Sequence, residues 1–226
     1  MKGCLAIVPA AGKGRRFGGN KVLASLKGRA VIVWTLQALQ QIPEISEIIP
    51  VVSEEIMEDV LKIVELTGIT KVKKVVPGGQ ERPDSVKNAL HSIDEAPERV
   101  LIHDGVRPLV TDRLIKRVIK SLGDYDGVIP GITPHDTVKD RDGDVVKETL
   151  NRNQLILVQT PQVFRYDLLS KGYEMDRKVL KKCTDDAQVV ELAGGRIRIV
   201  DGEDTNIKIT RPVDLALAEL ILEGRV

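Results

Sequence analysis

Cysteine, histidine and aromatic side chains are all scarce in this chain, and each scarcity removes a class of reading. The two cysteines, Cys4 and Cys183, offer neither a CxxC spacing nor a disulfide framework, so a reducing cytoplasm is the expected setting. His91, His103 and His135 are scattered and lack zinc-ligand spacing. Aromatic residues make up 3% of the sequence and none interleaves with basic positions, so no base-stacking platform for nucleic acid is expected. Long apolar runs are missing too. Residues 5–11 and 30–34 are far too short to span a bilayer, so no membrane partner is expected. One lysine before the first run and a basic stretch just after it, at 13–16, do not match a secretory leader.

Acidic residues are absent before Glu44, while Lys2, Lys13, Arg15, Arg16, Lys21, Lys27 and Arg29 all fall in that segment. The remainder carries 27 basic against 33 acidic residues. Such a local positive excess calls for an anion nearby. With nucleic acid disfavoured, a small phosphate ligand fits. The 226 residues, 42% hydrophobic and 30% charged, suffice for one substantial core, and no repeat or flexible linker divides them, so residues 1–226 are expected to form a single domain.

Short β-type runs alternate with helical patterns. Residues 4–8, 48–52, 72–76, 100–102, 127–132 and 197–200 read as strands, with a further apolar run at 155–158. Between them, Ser53 is placed to cap a helix carrying Ile56, Val60, Ile63 and Val64 on one face and closed by Gly68. Val86, Ala89, Leu90 and Ile93 mark a second helix. Thr111 precedes a third, with Leu114, Ile115, Val118, Ile119 and Leu122 inward. A fourth is expected near 166–179 and a last one after Thr210, read as its N-cap with Pro212 early in the helix. The expected fold is therefore α/β: a mainly parallel sheet flanked by helices on both faces. The pattern breaks at 134–152, a charged stretch without helical period in which Asp142 and Gly143 stand between valine-containing arms. It reads as a polar β-hairpin with too little apolar surface to stand alone.

Four groups of residues are able to carry chemistry. Residues 9–21, PAAGKGRRFGGNK, directly follow the first strand, where glycines let backbone N–H groups approach phosphate and the cations neutralise it. The dinucleotide fingerprint fails here, since Phe17 holds its third glycine position, and a Walker loop fails because Val22 follows Lys21. Residues 77–85, PGGQERPDS, can bring Gly78 and Gly79 against a flat base, with a hydroxyl from Ser85. Taken alone, Asp84 or Ser85 reads as a helix N-cap. Residues 103–108, HDGVRP, put Asp104 at a strand's carboxyl end, where a carboxylate suits Mg²⁺ held jointly with a triphosphate. The fourth group, 151–153, 159–162, 184–187 and 206–212, reads piece by piece as turns, caps and solvated charge.

Together and in this order, over nearly the whole chain, these segments resemble the 2-C-methyl-D-erythritol 4-phosphate cytidylyltransferases of the non-mevalonate isoprenoid pathway; the ending NIKITRPVDLALA at 206–218 is especially similar. The resemblance implies a Rossmann-like sheet, CTP as co-substrate, Mg²⁺, and a homodimer joined by a protruding arm at 134–152. It implies that Ala10, Ala11 and Gly12 contact ribose and phosphates, and that Gly79, Gln80 and Ser85 read the cytosine. It also puts Gly105 beside the ribose, Asp104 on the metal, and Arg16 and Lys21 in the catalytic pair. Thr137, Arg152, Thr160, Thr184 and Lys208 would bind the methylerythritol phosphate. The interval from Arg16 to Lys21 is shorter than is usual for the family, and Lys13 is able to reach the same phosphates. Val22 stands where Gln is usual, and Gly105-Val106 where Ala-Ala is commoner. Whether Asp204 adds a second carboxylate to the metal stays open. The other functions considered are a ribitol 5-phosphate cytidylyltransferase and, in a different class, a non-catalytic nucleotide-binding regulator on the same fold. No catalytic histidine is expected, because a phosphate nucleophile is already anionic near neutral pH.

Overall fold

The computed structural model describes residues 3–12, 14 and 16–224. The chain opens with β1 (Cys4–Pro9), a small ribbon of β2 (Ser25–Leu26) and β3 (Arg29–Ala30), then α1 (Val31–Gln40), β4 (Ile45–Val52) and α2 (Met57–Leu66). Next come β5 (Val76–Pro77), α3 (Arg82–His91), β6 (Arg99–Ile102), α4 (Asp112–Lys120) and β7 (Gly127–Ile132). A hairpin of β8 (Lys139–Asp142) and β9 (Val145–Thr149) leads to β10 (Leu157–Val158) and β11 (Gln162–Arg165). The rest is α5 (Tyr166–Tyr173), α6 (Arg177–Leu180), α7 (Asp186–Leu192), β12 (Ile197–Asp201) and α8 (Pro212–Glu223).

Among the described residues eight strands form the main sheet, in the order β10-β7-β11-β6-β1-β4-β5, with β12 also paired to β7. The pairs β1–β4, β1–β6, β4–β5 and β7–β12 are parallel, whereas β11 runs antiparallel between β6 and β7. Every residue of β1 is buried, and its side chains alternate between two cores because successive residues point to opposite faces. Cys4, Ala6 and Val8 join a core filled from α1, α2, α4 and α8; Leu5 and Ile7 join one filled from α3, α5 and α7. The sheet is thus covered on both faces, as the alternation of strands and helices requires. Cys4 lies fully inside, and burial pushes its thiol up to about 12, so it is inert at neutral pH.

Several expected boundaries shift. Of the run 72–76 only Val76 pairs as a strand, together with Pro77 beyond it, and Val72 makes one isolated bridge to Ile48; Lys73 and Lys74 interrupt the apolar pattern. The helix expected over 166–179 is two helices, because Asp176 accepts from the Lys178 backbone and starts α6 afresh. Ser53 precedes a 3-10 turn at Glu54–Ile56 but makes no side-chain cap. Neither Asp84 nor Ser85 is the N-cap of α3; Glu81 is, and the Asp84 carboxylate accepts from the Glu81 N–H. At α8 the N-cap is Arg211 rather than Thr210, and Asp214 accepts from the N–H groups of both. Pro212 does open the helix, and the Thr111 hydroxyl does cap α4 by accepting from the Leu114 N–H.

The hairpin forms its own two-stranded sheet apart from the main one, turning at Gly143 with φ +55. Every residue of β9 is exposed, and Val145 and Val146 remain largely in solvent.

Candidate active site

Parallel strands put their carboxyl ends on one edge of the sheet, and there the loops after β1, β5 and β6 meet. Hydrogen bonds carry the sheet's order past the strand ends: Ala10 N–H donates to Val51, Gly78 to Val52 and Gly105 to Pro9. The loops approach closely enough that side chains are excluded at specific places. A Cβ on Gly78 would lie 2.2 Å from the Ala11 Cβ, and one on Gly105 would lie 2.8 Å from the Ala10 Cβ. Gly14 turns the first loop with φ +59, and its carbonyl accepts from the Phe17 and Gly18 N–H groups.

Between these loops lies a cavity of about 750 Å³. Ala10, Ala11, Gly12, Arg16, Lys21, Gly79, Gln80, Ser85, Asp104 and Lys208 all line it, so segments from both halves of the sequence converge on one space. Lys13 lies outside the described residues. Gly105 is buried behind the wall, where its carbonyl accepts from the Thr35 hydroxyl. Thr160 is buried beneath it. Thr137, Arg152 and Thr184 are exposed and do not line this cavity within one chain. Arg152 instead donates to the His135 carbonyl, and the Thr184 hydroxyl to Gln188. Asp204 is also apart from Asp104, weakly paired with His135 at 3.5 Å on the surface.

Asp104 is the electrostatic centre. It follows β6, is 6% exposed, and faces Lys208 at 2.9 Å, Arg107 at 3.5 Å and Arg82 at 3.8 Å. Burial raises its pKa, but Lys208, Arg82 and Arg107 together outweigh burial and hold the carboxyl well below its ordinary range. Lys208 reaches it because residues 206–209 run alongside the loop after β6. Ile209 N–H donates to Val106, Arg107 to the Asn206 carbonyl, and the buried Asn206 amide to the Thr160 carbonyl. Ile209 is sunk in the core, which leaves its neighbour Lys208 facing the cavity. Burial and the adjacent Lys208 lower the Lys21 ammonium, with Asp104 working in the opposite direction.

A relay under the site fixes Asp104. Its N–H donates to the Thr160 hydroxyl at 3.0 Å, and that hydroxyl lies 3.0 Å from His103 Nδ1. His103 Nε2 lies 3.2 Å from the Arg107 carbonyl, which can only accept, so Nε2 carries the proton and Nδ1 accepts from Thr160. Burial pushes His103 down to about 4, leaving it neutral at physiological pH with both nitrogens engaged. On the opposite wall, Ser85 Oγ accepts from the Gly79 N–H and donates to the Glu81 carbonyl, while Arg177 bonds both Asp84 and Gln80.

Arg82 and Thr210 also line the cavity, and Arg107 and Asp186 support it, although none of the four was among the expected site residues. The available signal was position: Arg82, Arg107, Asp186 and Thr210 all fall inside the four segments that stood out. Whether the residues present suit Mg²⁺ rests on their donors. Among the described residues no three His, Cys, Asp or Glu side chains gather to hold a metal ion. Asp104 therefore offers a single hard carboxylate beside a cationic cavity roomy enough for a nucleotide. That matches Mg²⁺, which takes one or two carboxylates and completes its shell from phosphate and water.

Among the described residues no helix is long and apolar enough to cross a membrane. The family model for 2-C-methyl-D-erythritol 4-phosphate cytidylyltransferase matches residues 4–224. The chain is 42% identical to the protein of that name from Rubrobacter xylanophilus, over 100% of this chain and 97% of the relative. It is 40% identical to a Clostridium botulinum protein of the same name, over 96% of each. Its fold is similar to 4-diphosphocytidyl-2C-methyl-D-erythritol synthase from Anaerococcus prevotii, with a TM-score of 0.85, 33% identity, and coverage of 98% of this chain and 96% of that one. The corresponding Thermus thermophilus cytidylyltransferase gives a TM-score of 0.80 at 29% identity, over 99% and 100% of the two chains. A cationic, glycine-walled cavity at the carboxyl edge of a mainly parallel sheet and a family match from end to end agree, and the chain belongs to the 2-C-methyl-D-erythritol 4-phosphate cytidylyltransferase family of nucleotidyltransferases.

Proposed function

We propose that this chain joins CTP to 2-C-methyl-D-erythritol 4-phosphate, releasing pyrophosphate and leaving the CDP-linked polyol, in the non-mevalonate supply of isoprenoid precursors. The observation that carries this reading is the convergence of Arg16, Lys21 and Lys208 with Asp104 on one cavity walled by Ala10, Ala11 and Gly12.

A phosphate oxygen of the polyol attacks the α-phosphorus in line, the bond to the bridging oxygen of pyrophosphate breaks, and its electron pair leaves with pyrophosphate. Arg16 and Lys21 stabilise the charge that builds on the α-phosphate and the leaving group, being fixed cations that need little reorganisation. Backbone N–H groups of Ala11 and Gly12 hold phosphate oxygens, with Ala10, whose own N–H is spent on Val51, against the ribose. Because a Cβ on Gly78 would meet the Ala11 Cβ at 2.2 Å, no side chain stands there to crowd an incoming base. Gly79, Gln80 and Ser85 read that base, and Gly105 sits by the ribose. Lys208 holds the polyol phosphate. Asp104 holds Mg²⁺, which when bound supplies Lewis-acid neutralisation of the triphosphate. No proton need be taken from an anionic phosphate, and His103, neutral and doubly bonded, is not placed to take one.

Thr137, Arg152 and Thr184 complete the polyol phosphate site, while Thr160, buried with its hydroxyl committed to the Asp104 N–H and His103, supports it from beneath. For Thr137 and Arg152 this requires a homodimer in which the arm at 134–152 reaches the partner's cavity. The exposed Val145, Val146, Leu157 and Val158 support a partner surface there. A single catalytic domain acting in a reducing cytoplasm agrees with the two unpaired cysteines. Pyrophosphate release should be measured across four nucleoside triphosphates and a polyol phosphate panel that includes ribitol 5-phosphate. Preference for CTP with the methylerythritol phosphate is expected; preference for the ribitol phosphate would transfer the assignment to that reaction, and no release with any pair would favour the regulator.

A further inference from the structure

Beneath the cavity, Asp186 is wholly buried at the start of α7, yet it touches neither the cavity nor solvent. Its Oδ1 accepts from Arg82 Nη1 at 3.0 Å and from the buried Tyr173 hydroxyl at 2.5 Å, and its Oδ2 accepts from Arg82 Nη2 at 2.5 Å. Both terminal nitrogens of Arg82 are thereby turned away from the site, and only Nε faces Asp104, at 3.8 Å. A carboxylate taken wholly out of water is costly, and apolar residues of the same volume would pack this position at least as stably. The fork therefore has a consequence for the site rather than for the core. Asp104 already faces Lys208 and Arg107, and Asp186 occupies the terminal nitrogens of a further cation placed to close over it.

We propose that Asp186 is a positioning residue for the nucleotidyl transfer: by holding Arg82 in a two-pronged grip it keeps the Asp104 carboxylate open to an incoming divalent cation. The proposal rests on the reading of Asp104 as the metal ligand. Without the charge on Asp186, Arg82 is free to rotate its terminal nitrogens onto Asp104, and the guanidinium competes with the metal for the same oxygens. Losing such outer support typically weakens metal binding by about 10- to 100-fold.

The test uses Mn²⁺ in place of Mg²⁺, with binding read by electron paramagnetic resonance in the complex with CTP and no polyol phosphate, so that nothing turns over. Asp186→Asn should raise the Mn²⁺ Kd by about tenfold or more, while CTP affinity without metal stays equal or improves because the site has gained net positive charge. A merely structural lesion would weaken both. Arg82→Lys leaves Asp186 with a cationic partner, so no buried charge is stranded, but a single ammonium cannot maintain the fork; it should weaken Mn²⁺ in the same direction. Wild-type Mn²⁺ affinity in Arg82→Lys, or in a folded Asp186→Asn, overturns the proposal. Asp104→Asn separates the two ideas. If it leaves Mn²⁺ binding intact, Asp104 is not the metal ligand and both readings fall. If it abolishes binding while the other two variants bind normally, only the role of Asp186 falls.

Discussion

The Lys208 ammonium rests 2.9 Å from the Asp104 carboxylate, a contact between opposite halves of the chain that joins the residue assigned to the polyol phosphate with the one assigned to the metal. Their separate duties predict separable defects. Lys208→Gln should raise the KM for the polyol phosphate by about 10- to 100-fold, the usual loss for a charge-assisted contact, with Mg²⁺ half-saturation unchanged or lower. Asp104→Asn should instead move half-saturation to higher Mg²⁺. Steady-state titrations of each substrate and of Mg²⁺ distinguish the patterns, and an unchanged Mg²⁺ curve in Asp104→Asn would return Asp104 to an ordinary ion-pairing role.

Lys21 sits among like charges, and its work is expected in the transition state. Lys21→Ala should lower kcat by about 100-fold or more and raise the KM for CTP far less. Near-normal turnover would pass the role to Lys13.

His103 predicts a pH dependence of stability with a definite sign. Its folded pKa is pushed down to about 4 from 6.5, so between those values the unfolded chain binds more protons than the folded one. Its contribution is therefore fully present above pH 6.5 and is lost as pH falls toward 4, by up to about 1.4 kcal/mol per pH unit. The depressed Asp104 acts in a lower window, below 3.8. Thermal unfolding of His103→Gln, followed from pH 7 to pH 4, should show a flatter profile than wild type. Parallel profiles would mean that His103 is not held neutral by the relay.

The arm makes a prediction about subunits. Mix Lys21→Ala chains, whose arms are intact, with Arg152→Ala chains, whose nucleotide sites are intact. If the arm serves the partner's cavity, each mixed dimer has one site free of both lesions. Random exchange makes half the dimers mixed, so about a quarter of wild-type activity should return. Activity that stays at the level of the separate variants after verified exchange would mean that Arg152 serves its own subunit.

Much of this was legible before any coordinates. Alternating strand and helix patterns determined a mainly parallel sheet, because apolar runs such as 4–8 and 48–52 are buried on both faces and need helices on each. The glycines after β1 and β5 and the acid-free first segment marked this edge as the candidate anion site, and the cavity opens there. The hairpin was legible from Asp142 and Gly143 amid charge, and family membership from motifs kept in order.

Tertiary structure alone decided what lies next to what. No local period tells that β11 inserts antiparallel between β6 and β7, because a four-residue strand with two apolar residues between Gln162 and Arg165 reads the same in either direction. Lys208 meets Asp104 only because Ile209 is buried against the loop after β6, a long-range packing choice. Thr160 looks like a free hydroxyl in a turn, yet it supports the Asp104 backbone. Asp186 looks like a solvated charge at a helix start, but burial makes it the anchor of Arg82. In each case the residue type was visible in the chain, while its role depended on burial and on a partner brought from far away, which only the folded sheet supplies.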